Sequence, residues 1–374
     1  MGKHGPEFCP NSSCCHHYQE TRMRKRWWVY DGFYHCNREG DVQRYRCTDC
    51  GKRFSDTTFS LDYYAKKRVN LYRLRRMICS GSSVRASSRQ LFCSPSTVTR
   101  RLVILARQSM AADAALREHI ELSESLVADG FQSFWVSQYH PNNFNLLCGS
   151  DSQYVYALTT VSLKRSGRMS DHQRQKRDSI ERVHPSDPKG LLRSFTELMS
   201  VASRLKRGSA TVERIELYTD EHQTYPRCLA PFGDTEVMHC QVSSKAPRSG
   251  ANPLFAVNYL DREIRKDCAE HHRESVCFAR SAAMSVARMW VYLLWHNIEK
   301  PYRISPQSSI THAEAAGIES QRIARQRRRM LRQRSFFTRS ALSETQRRDW
   351  LQLLWTPERE NRRNLRITPC YAAA

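Results

Sequence analysis

Two aspartates in this chain stand where a β-strand would leave them at its tip. In the stretch 212–225, V-E-R-I-E-L-Y-T-D-E-H-Q-T-Y, Ile215 and Leu217 alternate with Glu216 and Tyr218, the period of a half-buried strand, and the run ends at Thr219-Asp220. Upstream, L-V-A-D carries a second hydrophobic run to Asp129. The C-terminal rim of the strands is where open α/β sheets bind ligands. Carboxylates gathered at such a rim are the donors that hard divalent cations take, although a single aspartate there serves equally well as the cap of the next helix. An acidic, helix-forming segment, 258–274, follows the second strand.

The second group able to do chemistry is at the start of the chain. Cys9-Pro10-Asn11-Ser12-Ser13-Cys14 and Cys47-Thr48-Asp49-Cys50-Gly51-Lys52 are two close cysteine pairs. Two such knuckles can bring four thiolates, Cys9, Cys14, Cys47 and Cys50, around one tetrahedral Zn²⁺. The first pair is one or two residues wider than the tightest spacing, so Cys15, His16, His17 and Cys36 stay open as substitutes. Segments 30–34 and 42–46 supply strands between the knuckles, with Phe54 packing behind them. Arg22, Arg24, Lys25, Arg26, Trp27 and Trp28 suit a phosphate backbone or, equally, a solvated face over a small core.

The remaining elements must position these groups. Residues 61–79 show helical spacing. In 81–101, 84–91 reads as a short helix, 92–94 as a turn, Ser94 as an N-cap and Pro95 as the first residue of a second helix. This is the layout of a helix-turn-helix, in which Ser96, Thr97, Thr99, Arg100 and Arg101 lie on the helix that would enter the major groove. A connector, 111–124, leads to strands at 126–129, 145–149 and 154–162. The polar stretch 164–189 reads as a partly ordered surface excursion, 191–205 as an amphipathic helix, and 214–219 and 237–242 as further strands. Strands, helix, strands and then helices predict a mixed α/β sheet. The final third is helical; Arg322, Arg325, Arg327, Arg328, Arg329, Arg332 and Arg334 form a basic run suited to phosphates or to a solvated tail.

Composition narrows the class of partner. The 374 residues carry 60 Lys and Arg against 37 Asp and Glu, a net charge of +23, which points to a polyanion and by default to nucleic acid. Fourteen cysteines diluted in a long chain, behind an N-terminus without an apolar signal segment, predict free or metal-bound thiols in a reducing cytoplasm. The most apolar helix, 281–295, is too short and too interrupted by Arg288 to span a bilayer, so no membrane partner is expected.

In this order the motifs resemble the bacterial insertion-sequence transposases of the Asp-Asp-Glu class. The residues that carry the resemblance are C-P-N-S-S-C with Q-R-Y-R-C-T-D-C-G-K-R-F-S (43–55), D-G-F (129–131), S-G-R-M-S (166–170), Y-T-D-E-H-Q-T-Y (218–225), N-Y-L-D-R-E-I-R-K-D (258–267), R-E-S-V-C-F-A-R (273–280) and H-N (296–297). The resemblance implies a zinc ribbon (1–60), an all-α helix-turn-helix (61–110), a connector (111–124), an α/β ribonuclease-H-like catalytic domain (125–305) and a basic helical extension (306–374). It also implies a protein of the bacterial nucleoid that binds double-stranded DNA as a homo-oligomer. Its chemistry would be cleavage and strand transfer, with Mg²⁺ or Mn²⁺ held by three carboxylates. Asp129 and Asp220 match the first two. The third is usually a glutamate, and here the matching place holds Asn258 and Asp261. Asp261 is favoured, with Asn258 beside it and Arg265 and Lys266 one turn on facing phosphate. Glu263 is the next candidate, followed by Glu270 and Glu274, whereas Asp151, Asp171 and Asp178 fall in solvent-exposed sequence. A non-catalytic DNA-binding regulator and a nuclease of the same fold are the competing readings.

Overall fold

The structure, a computed structural model, describes residues 5–18, 26–37, 39–63, 65–209, 213–233, 236–243, 245–272 and 277–357. Arg22, Arg24, Lys25 and Glu274 lie outside the described residues. The chain opens with a short helix α1 (Cys15–Tyr18) and a three-stranded antiparallel sheet, β1 (Trp28–Cys36), β2 (Gly40–Cys47) and β3 (Arg53–Ser55). Three helices follow: α2 (Leu71–Cys79), α3 (Val84–Gln90) and α4 (Pro95–Arg117). The expected helix over 61–79 is therefore confined to its second half, where Asn70 caps α2 by accepting from Arg73 N–H. Ser94 and Pro95 cap and start α4 as their types require: the Ser94 side chain accepts from Thr97 N–H. α4 runs on through the expected connector as far as Arg117, because its alanines and leucines continue the buried face without a stop signal.

The central sheet has five strands in the order β6-β5-β4-β7-β8: β4 (Leu126–Phe134), β5 (Pro141–Gly149), β6 (Val155–Ser162), β7 (Ile215–Thr219) and β8 (Val237–Gln241). The first three pair antiparallel, and β7 and β8 join parallel to β4. Between β6 and β7 come α5 (Asp171–Val183) and α6 (Gly190–Gly208); after β7 comes the single turn α7 (Thr224–Arg227). The stretch expected to be a partly ordered excursion thus contains a helix. A reciprocal Ser170–Gln173 capping box starts α5, which buries none of its residues. The chain continues through α8 (Phe255–Asp267), α9 (Ala282–Ile298), α10 (His312–Ala315), α11 (Ser320–Met330) and α12 (Glu344–Trp350). No helix among the described residues is long and apolar enough to cross a membrane.

Strand alternation assigns each face of the sheet its own cover. Leu126 and Ala128 of β4, with Ile215 and Leu217 of β7, pack with Phe195, Leu198 and Met199 of α6. Val127 and Phe131 of β4 point the other way, into a core shared with α8 and α9, and Tyr218 of β7 packs against it. That second core also includes Leu74 and Ile78 of α2, Val98 and Leu102 of α4, and Trp350 of α12. The helix-turn-helix and the C-terminal helices therefore close over the sheet instead of standing apart from it. A third, smaller core inside the cysteine module holds Phe8, Trp27, Tyr45, Phe54 and Phe59, and takes in Phe336 from the far end of the chain.

Candidate functional site

Sheet register brings the two aspartates together, although only Asp220 stands at a strand tip: Asp129, expected at one, is the fourth residue of β4, which runs on to Phe134. β4 and β7 pair as Leu126↔Leu217 and Val127↔Tyr218. Carried two residues on, the same register sets Asp129 beside Asp220. By the period of two, both belong to the face of Val127 and Tyr218, the face that α8 covers. On α8, Ala256, Val257, Leu260 and Ile264 are buried, while Asn258, Asp261, Arg262 and Arg265 follow helical spacing along the opposite side. These four line a cleft of about 1060 Å³ with Asp129 and Asp220. The helix begins at Phe255, so Asp261 sits in its second turn and not at its start near Asn258 as expected.

Each acid has a different setting. Asp129 Oδ1 accepts from Gly130 N–H at 2.6 Å and from the Tyr225 hydroxyl at 3.4 Å. Burial, with repulsion from Asp220, pushes its carboxyl up to about 6 against the hydrogen bond from Gly130. At position 130 a Cβ would lie 2.1 Å from the Asn143 side-chain nitrogen, so a larger residue there must displace the amide that Asn143 donates to Asn145. Asp220 Oδ1 accepts from His222 N–H at 2.9 Å. Asp261 is pushed further, to about 8, by burial and then by Asp129, and its buried Oδ1 has no hydrogen-bond partner. An orphaned carboxylate oxygen in a cleft shared with two other aspartates is the type of donor that hard divalent cations take. The three acids are nevertheless spread along the cleft: among the described residues, only cysteine-containing groups bring three candidate ligand atoms within 4.8 Å of one another.

The other expected acids are accounted for elsewhere. Glu263 is buried and held by Lys300 at 2.5 Å and by Lys266 at 3.2 Å. Burial alone would raise its pKa, but these two lysines bring it below the usual range. Lys266, expected to face phosphate, is committed to that pair. Glu270 is half-buried and meets Arg288 and Ser285, and Asp151, Asp171 and Asp178 are exposed. Arg165, Arg248 and Arg262 line the cleft without having been singled out from the sequence, and Tyr225, buried in the core on the α6 side, donates to Asp129. Tyr225 and Arg165 fall inside or beside motifs already quoted; Arg248 stands in a Pro- and Ser-rich loop that gives no periodic signal.

Cys9, Cys14, Cys47 and Cys50 form a cluster that could hold a metal ion. The Cys9–Cys50 and Cys14–Cys47 sulfurs are 3.6 and 3.7 Å apart. Four sulfurs at the usual Zn–S length of about 2.3 Å in a tetrahedron stand roughly 3.8 Å apart, so the spacing fits zinc. His17 is excluded as a ligand because its Nδ1 meets Cys9 O and its Nε2 meets Thr338 Oγ1, each at 2.7 Å. Cys15 lies outside the four and contacts Asp49 at 3.0 Å.

On the helix-turn-helix, Ser96 and Arg100 are exposed, and Thr97 and Thr99 are half-buried. Arg101 is not on the outer face. It is 2% exposed and donates to Leu61 O, Lys67 O and Asp62 Oδ1. Val98, Arg101, Leu102 and Leu105 are all buried, one stripe at i, i+3, i+4 and i+7, so the helical phase that places Val98 inside also carries Arg101 inside. No protein-family model and no curated protein sequence matches this chain.

Proposed function

We propose that the chain is a DNA transposase whose cleavage and strand-transfer chemistry runs in the cleft formed by Asp129, Asp220 and Asp261. The observation that carries this reading is the register that sets Asp129 beside Asp220 on one face of the sheet, opposite an α8 carboxylate with an unpartnered oxygen. The sheet order supports a ribonuclease-H-like body, with three antiparallel strands followed by two parallel ones. When bound by these acids, Mg²⁺ or Mn²⁺ would supply an activated water or DNA 3′-OH and stabilise the leaving oxygen of an in-line phosphoryl transfer. The protein's own groups prepare for that chemistry. Tyr225 and the Gly130 N–H fix the Asp129 carboxylate, and His222 N–H fixes Asp220. Arg165, Arg248, Arg262 and Arg265 give the cleft the positive charge that a phosphate backbone requires.

Double-stranded DNA at the ends of a mobile element is the substrate this reading implies, and the four cysteines are its structural zinc ligands. The alternative of a catalytically dead DNA-binding regulator draws on one observation, the aspartate at 261 where the resembling enzymes have the longer glutamate. Inverted repeats flanking the gene define the duplex to use in the test. With that duplex and Mg²⁺, Asp220→Asn lowers cleavage by at least about 100-fold, while DNA binding without added Mg²⁺ stays at the wild-type level. Titration of Mg²⁺ into protein alone shows the same loss for Asp220→Asn. Wild-type protein that binds DNA but takes up no Mg²⁺ and cuts nothing establishes the regulator; cleavage that survives in Asp220→Asn removes the proposed centre.

A further inference from the structure

The turn between α3 and α4 is closed by the two hydrogen bonds of a Schellman motif: Cys93 N–H donates to Ser88 O at 3.0 Å and Phe92 N–H to Arg89 O at 3.3 Å. The left-handed position of that motif usually holds glycine, because any Cβ there crowds the neighbouring carbonyl. Here it holds Phe92, with φ of 49°. The ring is 83% exposed and belongs to none of the three cores. Backbone sterics and solvent thus both disfavour an aromatic at this position, and among the described residues no core packing of the ring compensates. Strain of this kind collects at functional sites.

The surroundings say what the ring would meet. Lys67 donates from its ammonium to Phe92 O and pins the turn. Lys67, Ser88, Arg89, Phe92, Ser94 and Thr97 line one open hollow at the start of α4. Arg85, Arg89 and Arg100 are exposed. None of the three guanidinium groups has a hydrogen-bond or ion-pair partner among the described residues. An apolar ring projecting from a rim of unpaired cations, at the N-terminus of a helix of groove-reading length, is complementary to a duplex: the cations meet phosphates and the ring meets the apolar feature of the major groove, the thymine 5-methyl group.

We propose that Phe92 is a base-reading residue of the helix-turn-helix, seated against a thymine methyl in the major groove, with Arg89 and Arg100 on the flanking phosphates. This assignment rests on the reading that the helix-turn-helix, residues 81–101, docks on duplex DNA. Full-length zinc-loaded protein is used to select from a pool of random-sequence duplexes, alongside Phe92→Gly and Phe92→Ala. Wild type enriches a motif with an invariant thymine; both variants keep the rest of the motif and lose that column. Uracil at that position weakens wild-type binding roughly fourfold, the worth of one buried methyl group, and leaves Phe92→Ala unchanged. Phe92→Gly has a Tm equal to or above wild type, because glycine relieves the left-handed position. A thymine column that persists in both variants, or a Tm lowered in Phe92→Gly, overturns the assignment while leaving DNA recognition intact. A wild-type protein that enriches no motif overturns the assignment together with the DNA reading beneath it.

Discussion

Glu263 and Asp261 lie two positions apart on α8, which turns them about 200° from each other around the helix. Glu263 points into the protein and meets Lys300, both side chains nearly fully buried. Asp261 points into the cleft with an oxygen unpartnered. The sequence ranked these two acids by motif alone; the structure separates them by what each would lose. Glu263→Gln leaves the Lys300 ammonium buried without its counter-charge and costs about 3–5 kcal/mol, visible as a lowered midpoint in urea unfolding. Asp261→Asn behaves oppositely in metal-free protein. The carboxyl is raised from 3.8 to about 8 by burial and by Asp129, so the folded state holds a proton that the unfolded state has released between those pH values. Wild-type stability from this group is therefore present below pH 4 and lost as pH rises towards 8. Relative to wild type, the Tm of Asp261→Asn is unchanged near pH 4 and higher at pH 8; an advantage that fails to grow with pH contradicts the raised carboxyl. Arg101 shows where residue-level reading went astray. Its type and place on the helix expected to enter the major groove suggest a DNA contact, although its spacing from Val98 and Leu105 sets it on the inner stripe.

At the scale of elements, patterns that depend on neighbouring residues were legible. The alternation of β4 and β7, the Ser94-Pro95 start of α4 and the paired cysteine knuckles all appear where their local chemistry puts them. The cysteine module was less legible as a unit, because its core is completed from a distance of more than 270 residues. Phe336 is 3% exposed within it, Arg334 N–H donates to Phe59 O at 2.8 Å, and the Arg339 guanidinium lies 4.1 Å from the Phe8 ring centroid. Nothing in the spacing of residues 1–60 announces that partner. The arrangement links the four-cysteine cluster to the C-terminal segment: Cys9 and Cys14 sit in the same core as Phe336, and Cys9 O holds His17, which holds Thr338. Removing zinc with a chelator, or Cys47→Ser, loosens both knuckles and frees this segment. Trypsin then cuts after Arg334 or Arg339 faster than in the zinc-loaded protein. Equal cleavage rates with and without zinc contradict the linkage, and metal analysis of the starting protein reports the ion itself.

For the whole molecule, the sequence divides by pattern into modules, whereas packing joins the larger ones. The pattern changes near residue 125 because strands replace helices, and that change says nothing about whether the two parts share an interior. They do: α2, α4 and α9 pack together, and the cluster reaches from Leu74 and Leu102 through Phe144 to Trp350. Polar contacts reinforce the seam. Arg75 is 2% exposed and meets Glu299 at 2.5 Å, Arg288 donates to Ser82 O, and Trp290 donates to Asp349 at 2.8 Å. Gln108 donates to Met330 O and Gln333 O, which ties the C-terminal helices to α4. On the proposed reading, an α4 that contacts DNA and is built into the body in this way holds its duplex at a fixed distance from the acidic cleft, as a flexible tether would not. The thermodynamic consequence is that the helix-turn-helix has no independent unfolding step. In hydrogen exchange across a urea series, the amides of Leu74 and Ile78 in α2 and of Leu146 and Leu147 in β5 therefore converge on one opening free energy. Arg75→Met, which strips Glu299 of its buried partner, lowers all four together by about 3–5 kcal/mol. Loss of protection in α2 at urea concentrations where β5 stays protected, or a drop confined to α2 in the variant, would restore the picture of a separately folded DNA-binding module.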